Sequence, residues 1–143
     1  MKIEIRNRAR GFTLIELLVV LAILAMLAGL VGPRVMNQLS GSKTKTTRLQ
    51  LEDLSAALDL YRLDVGRYPS SDEGLESLVK NPGDSNKWNG PYLKKPQIPK
   101  DAWGYDYHYV YPGEHSSFDL YSLGADDTEG GDGENADVAS WEQ

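Results

Sequence analysis

The hydropathy of this chain changes character along its length, and each change predicts an element. From Leu17 to Val31 every residue is apolar or glycine. If Phe12–Val31 is helical, about 20 residues rising roughly 1.5 Å each span about 30 Å, the thickness of a bilayer core. Gly29, Gly32 and Pro33 interrupt the run. Proline removes a backbone donor and crowds the preceding turn, so a kink or a locally unwound turn is predicted near Gly29–Pro33. Beyond it Leu51, Leu54, Leu58, Tyr61 and Val65 recur at alternating steps of three and four. That spacing is one face of an amphipathic helix. Ala56, Leu60 and Leu63 are expected to widen the stripe, with Asp59, Arg62 and Asp64 largely outside it. Gly66 is a natural stop and Pro69 prevents continuation. The pattern predicts one long helix from about Phe12 to Val65, apolar all round in its first part and amphipathic in its second.

The remaining pattern is shorter-ranged. Ser70-Ser71-Asp72-Glu73 resembles a helix start, a serine cap followed by acids, with Leu75, Leu78 and Val79 as a short apolar face. Asn81-Pro82-Gly83 ends it. Residues 84–100 read as a loop with Pro91, Pro96 and Pro99, anchored by Trp88 and Tyr92. Tyr105, Tyr107, Tyr109 and Tyr111 alternate with Asp106, His108 and Val110, which predicts a strand. Pro112-Gly113-Glu114 is a turn, and Ser117–Leu123 a second strand with Phe118, Leu120 and Ser122 on one face. The hairpin is expected to pack against the long helix, giving an α+β fold. No internal repeat occurs.

Composition sharpens this. The chain has 143 residues, no cysteine and a net charge of −6. No disulfide holds the fold, and redox chemistry does not indicate a compartment. The charge is uneven: residues 1–10 hold Lys2, Arg6, Arg8 and Arg10 against Glu4, while the C-terminal third is acidic. An acidic soluble part argues against nucleic acid as a partner. The basic leader favours a cytoplasmic N-terminus, although Arg34, Lys43, Lys45 and Arg48 lie beyond the apolar run.

The junction between leader and apolar run is Gly11-Phe12-Thr13-Leu14-Ile15-Glu16. A secretory signal peptide loses its apolar region on cleavage. Cleavage after Gly11 would instead keep that region and leave Phe12 as a new N-terminus. The hexapeptide resembles the processing site of type IV prepilins and of the pseudopilins of type II secretion. Further segments extend the resemblance to the major pseudopilins: residues 61–69 (YRLDVGRYP), 74–78 (GLESL), 88–93 (WNGPYL), 101–107 (DAWGYDY) and 122–126 (SLGAD). Ala102 departs from that pattern, where proline usually precedes Trp-Gly, and is expected to alter a loop conformation only. The resemblance implies a type IV pilin-like fold: a long N-terminal helix on a small antiparallel sheet, with a C-terminal calcium loop. It divides the chain into a cleaved leader (1–11), a transmembrane half-helix that forms the fibre core (12–32) and a periplasmic domain (33–143).

Candidate sites follow. Glu16 is a carboxylate at the edge of an apolar helix. It either suits the positive end of the helix dipole, pairs with its own Phe12, or, as the resemblance implies, pairs with the Phe12 amine of a neighbouring subunit and sets register. The segment Asp126–Asp137 holds six acids and no base. Oxygen ligands on a glycine-bent backbone suit Ca²⁺, but the spacing is not that of an EF-hand, and one near-copy of a glycine-rich nonapeptide builds no stacked repeat. A solvated acidic tail has the same composition, while Val138 and Trp141 beyond it suggest a return to the core. The resemblance implies Ca²⁺ held by the Leu123 carbonyl, Asp126, Asp137 and an oxygen near Glu134–Asn135, taken as Asn135. The tyrosine row fits a half-buried sheet face better than a ligand platform. His108 and His115 are expected to face solvent. No nucleophile–base pair or phosphate loop occurs, so no enzyme is expected.

The implied function is structural. The chain is expected to be a single-pass inner-membrane protein, N-terminus cytoplasmic, that polymerises into a periplasmic pseudopilus driving protein export. Expected partners are further copies of itself, minor pseudopilins, the inner-membrane assembly platform and prepilin peptidase. Alternatives are a pilin for adhesion or motility and a membrane-anchored binding domain that never polymerises.

Overall fold

A computed structural model describes residues 11–83 and 86–142, with backbone only for residues 36–38 and 40. The chain forms two compact units, Met1–Gln38 and Leu39–Gln143. One helix, α1 (Leu14–Val65, 52 residues), runs through both. In the first unit its large apolar side chains are exposed, from Leu14 to Val35. That 22-residue stretch is long and apolar enough to cross a membrane. The helix assignment continues through Gly29, Gly32 and Pro33. No turn unwinds there, because one missing hydrogen bond does not end a long apolar helix.

In the second unit Leu51, Leu54, Leu58 and Tyr61 are almost fully buried on one face of α1, and Val65 packs against them. Burying each such side chain stabilises by about 1.5–3 kcal/mol. The stripe is narrower than expected. Leu60 and Leu63 are 51 % and 79 % exposed, and Ala56 is exposed too. Leu60 follows Leu51, and Leu63 follows Leu54, by nine residues, about two and a half turns, so each lies on the opposite face. Gly66, at φ +92°, donates to the Arg62 carbonyl at 2.8 Å and closes the helix.

The expected second helix shrinks to one 3₁₀ turn, Leu75–Leu78. The start signal at Ser70–Glu73 is real. The Ser70 N–H donates to Glu73 Oε2 at 2.7 Å and the Glu73 N–H to Ser70 Oγ at 3.2 Å. This is a reciprocal capping box. Gly74 at φ +59° breaks the helical path directly after it. Arg67 clasps Glu73 through two bonds of 2.6 and 2.7 Å. The loop that follows is anchored as expected. Trp88 Nε1 donates to the Ser77 carbonyl at 2.8 Å, and Tyr92 meets the rings of Trp88 and Tyr61 edge-on.

The sheet has three antiparallel strands in the order β1-β2-β3: β1 (His108–Val110), β2 (Asp119–Ser122) and β3 (Val138–Ala139). Tyr109 pairs with Leu120, and Ser122 with Val138. β1 is shorter than Tyr105–Tyr111. The buried Asp101 carboxylate takes the N–H groups of Trp103 and Tyr105 and bends that end into a turn. Two-residue β3 has no readable alternation and was not expected. Leu120 and Ser122 of β2 and Phe118 just before it are buried, as their alternation indicates, and Asp119 between them is buried as well. Tyr107 is buried, and Tyr109 and Tyr111 half-buried, against the same core. Tyr107 donates to Gln50 Oε1 at 2.6 Å and Tyr109 to the Pro69 carbonyl at 2.8 Å. Burial raises both phenols well above their usual pKa. Tyr107, Tyr109 and Tyr111 thus line the core in and beside β1, while Tyr105 is exposed. Ala102 turns its departure to use: its N–H donates to the buried Thr47 hydroxyl at 3.2 Å, a bond proline cannot make.

Leu58→Ala is expected to cost about 2–5 kcal/mol in denaturant unfolding. Leu60→Ala, two residues on, should stay within about 0.5 kcal/mol because its face is bare. A second prediction concerns acid. The Arg67 guanidinium, then the Ser70 backbone, hold the Glu73 carboxyl down to about 2 against an ordinary 4.5, while burial opposes them. A depressed carboxyl stabilises the folded state above its unfolded value and loses that contribution as pH falls through the folded one. Stability should therefore decline from about pH 4.5 toward pH 2. Glu73→Gln should flatten that part of the melting-temperature profile.

Candidate functional site

Two regions gather the residues singled out above. The first is the start of α1. Gly11 and Phe12 are exposed, Phe12 by 90 %. Thr13 caps the helix. Its N–H and hydroxyl both donate to Glu16 Oε2, at 2.8 and 3.0 Å, and the Glu16 N–H donates to Thr13 Oγ1 at 3.3 Å. Thr13-x-x-Glu16 is thus a capping box, a signal that the sequence itself carries. It gives the Glu16 carboxylate partners within one chain. The leader, Met1–Arg10, lies outside the described residues.

The second region is the acidic segment between β2 and β3. It is folded on itself. Two short 3₁₀ turns, Gly124–Asp126 and Gly133–Asn135, pack against each other. The approach is close: a Cβ on Gly124, at φ +72°, would stand 2.8 Å from the carbonyl oxygens of Glu134 and Ala136. Asp137 Oδ2 accepts from the Gly130 N–H at 3.0 Å, while Asp137 Oδ1 is buried with no hydrogen-bond partner. Asp126 is exposed, and its Oδ1 accepts from the Thr128 N–H at 3.3 Å. Leu123 caps the first turn, and Asn135 ends the second. The fold thus brings the chain around Leu123 and Asp126 to the chain around Asn135. Among the described residues no three His, Cys, Asp or Glu side chains gather as a metal cluster.

Carboxylates that the sequence did not single out hold this region in place. Asp101 accepts from the Ser122 hydroxyl at 2.5 Å, and Ser122 Oγ accepts from the Gly124 N–H at 3.2 Å. Asp119 is buried and accepts from the N–H groups of Glu114, His115 and Ser116. Burial pushes its carboxyl up, but the bonds from the His115 ring and these N–H groups outweigh that and leave it below its usual range. His115 is exposed, with Nδ1 2.9 Å from Asp119, and its ring lies flat on Trp141 at 4.3 Å. His108 is half-covered by Tyr121 rather than open to solvent. Trp141 is therefore held against the sheet, in line with the return to the core that Val138 and Trp141 indicated.

An apolar helix of membrane length with a capped start, its amphipathic end packed on a small antiparallel sheet, defines a pilin-like subunit. Residues 34–141 match the family described as "Type II secretion system (T2SS), protein G", and residues 6–32 match the "Prokaryotic N-terminal methylation motif". The type II secretion system core protein G of Pseudomonas aeruginosa is 46 % identical over 141 residues, 96 % of this chain and 98 % of its own length. That of Vibrio cholerae is 42 % identical over 94 % of this chain and 93 % of its own. The crystal structure of the major pseudopilin from the type 2 secretion system of enterohaemorrhagic Escherichia coli superposes with a TM-score of 0.63 at 30 % identity. It covers 78 % of this chain and 96 % of that one. The chain belongs to the type II secretion system protein G family.

Proposed function

We propose that this chain is the major pseudopilin of a type II secretion system, a structural subunit stored in the inner membrane and polymerised into a periplasmic fibre. The observation that carries this reading is the match to protein G along residues 34–141, joined to a methylation motif over residues 6–32. The apolar stretch Leu14–Val35 supplies the anchor. Lys2, Arg6, Arg8 and Arg10 favour a cytoplasmic leader and a periplasmic C-terminal domain. Prepilin peptidase cuts between Gly11 and Phe12 and methylates the new amine. In the fibre, head-to-tail contacts that do not close make a filament, and the apolar helices form its core. Glu16 then meets the Phe12 amine of a neighbouring copy, leaving the Thr13 cap that satisfies it in the single chain. Minor pseudopilins and the inner-membrane assembly platform are the further partners, and export of folded proteins is the task.

Calcium is part of this proposal. The donors available in Gly124–Asp137 are oxygens, which suit a hard cation. The unpartnered buried Asp137 Oδ1 and the carbonyls crowding Gly124 fit such a group. The Leu123 carbonyl, Asp126, Asn135 and Asp137 would hold it. When bound, the ion neutralises and crosslinks acids that otherwise repel. Asp137 then fastens the end of the loop beside β3, and Ser122 and Asp101 hold its beginning.

Three outcomes test the reading. Intact mass of membrane-extracted protein should correspond to a chain beginning at N-methylated Phe12; a retained leader would contradict it. Glu16→Ala should insert normally but yield few fibres in sheared fractions, because the pairing charge is gone while the apolar replacement suits lipid. Calcium should raise the melting temperature over chelator, by about 2.7 kcal/mol of stability at a hundredfold excess over Kd. Asp126→Ala and Asp137→Ala should each lose that increment, and Asp127→Ala should lose less. Equal melting with calcium and chelator would remove the metal from the proposal.

A further inference from the structure

The calcium reading uses donors on both limbs of the acidic segment. Leu123 and Asp126 lie where the chain leaves β2, and Asn135 and Asp137 where it returns to β3. The returning limb has little to hold it. β3 pairs Val138 with Ser122 and Ala139 with Tyr121, and the Ser140 N–H adds one bond to the Leu120 carbonyl at 2.9 Å. Strands in folded proteins usually run about three to ten residues, so a pairing this short is a weak fastening for a closed loop.

Beyond β3 the chain is held by rings. Trp141 is half-buried. The His115 imidazole lies flat on its indole, with centroids 4.3 Å and planes 2° apart, and Tyr121 of β2 meets it edge-on at 5.8 Å. His115 stands in the turn before β2, with Nδ1 2.9 Å from Asp119 Oδ2. The Asp119 carboxyl is held below its usual range, so it is ionised and only accepts, and this assigns the proton to Nδ1.

Asp119 does not need that bond. Its Oδ1 already takes the N–H groups of His115 and Ser116, and its Oδ2 that of Glu114. The ring bond therefore serves the imidazole: it fixes the plane on which the indole rests.

We propose that His115 is a positioning residue for the cation site: oriented by Asp119, its ring clasps Trp141 and sets the returning limb in place before the ion binds. The inference rests on the calcium reading above and adds to it a residue outside the ligand set. Asp137 directly precedes β3, and its Oδ1 is buried without a hydrogen-bond partner among the described residues. Peeling residues 138–141 from the sheet carries that oxygen away from Leu123 and Asp126. A site assembled for only part of the time binds more weakly in proportion to that fraction. The clasp raises the fraction without contributing a ligand, which is preorganisation.

Titrating the full chain with calcium chloride in detergent micelles, well below its melting temperature, tests this. His115→Ala should weaken calcium binding about three- to tenfold, the worth of one aromatic pair. Trp141→Ala should weaken it at least as much. The double variant should bind no more weakly than Trp141→Ala alone, because His115 acts through Trp141. A stack that served folding alone would lower the melting temperature in chelator and leave the calcium affinity as it is. Proton NMR gives a second readout. The His115 ring protons, identified by their loss in His115→Ala, lie over the indole. They should resonate upfield of a free imidazole in chelator as well as in calcium, and Trp141→Ala should abolish that shift. Parental affinity in His115→Ala, additive losses in the double variant, or an upfield shift that appears only with calcium would overturn the clasp. A parental chain that binds no calcium would overturn the calcium reading itself, and this inference with it.

Discussion

Leu51, Leu54, Leu58 and Tyr61 form a row on α1 that water does not reach, and the second unit is built by covering it. The helix alone cannot hide that row. The Trp88–Tyr92 loop, Tyr109 of β1 with the flanking Tyr107 and Tyr111, and Leu120 of β2 supply the cover. Each covering segment must also satisfy the polar groups it carries inward, since a buried donor or acceptor without a partner costs more than the contact gains. That requirement explains why the tyrosine hydroxyls end on Gln50 and Pro69, and why Trp88 reaches the Ser77 carbonyl.

A unit of this size with no disulfide needs another way to fix its loops. Carboxylates do this work. Asp101, Asp119 and Glu73 each accept backbone N–H groups at a turn and also hold a side chain from elsewhere. Asp101 ties the end of the long loop to Ser122, at the point where the acidic segment begins. Asp119 ties the turn before β2 to His115, whose ring carries Trp141 from the far end of that segment. The acidic segment is thus gripped at both ends by ordinary hydrogen-bond chemistry. Its own interior holds the unpartnered oxygen of Asp137.

The elements whose patterns were long were legible in the sequence. The apolar run, the alternating threes and fours after it and the Phe118–Ser122 alternation each repeat often enough to name their element. The short ones were not. β3 has two residues and β1 three, fewer than a period-two pattern needs to stand out. The turn at Ser70–Glu73 carried a true helix-start signal, yet Gly74 ended the helix after one turn. Composition does not reveal the width of the α1 stripe, because Ala56, Leu60 and Leu63 are as apolar as the buried row. Hydropathy marks what can be buried, and only angular position separates the two faces.

By itself the sequence determined the apolar stretch of membrane length, the N-terminal methylation motif, the long helix with its buried row and the membership that follows from them. These are properties of local order: run length, spacing and contiguous motif. Tertiary structure decided which apolar face is covered and which is bare. It decided that Asp101 and Asp119 organise the loops, and that Ala102 can use its N–H on Thr47. It also decided that the acidic segment folds back on itself rather than trailing as a tail. Each of these joins residues far apart in the chain. Partners such as Thr47 with Ala102, or His115 with Trp141, leave no spacing for a sequence to display, because only the packed backbone sets the distance between them.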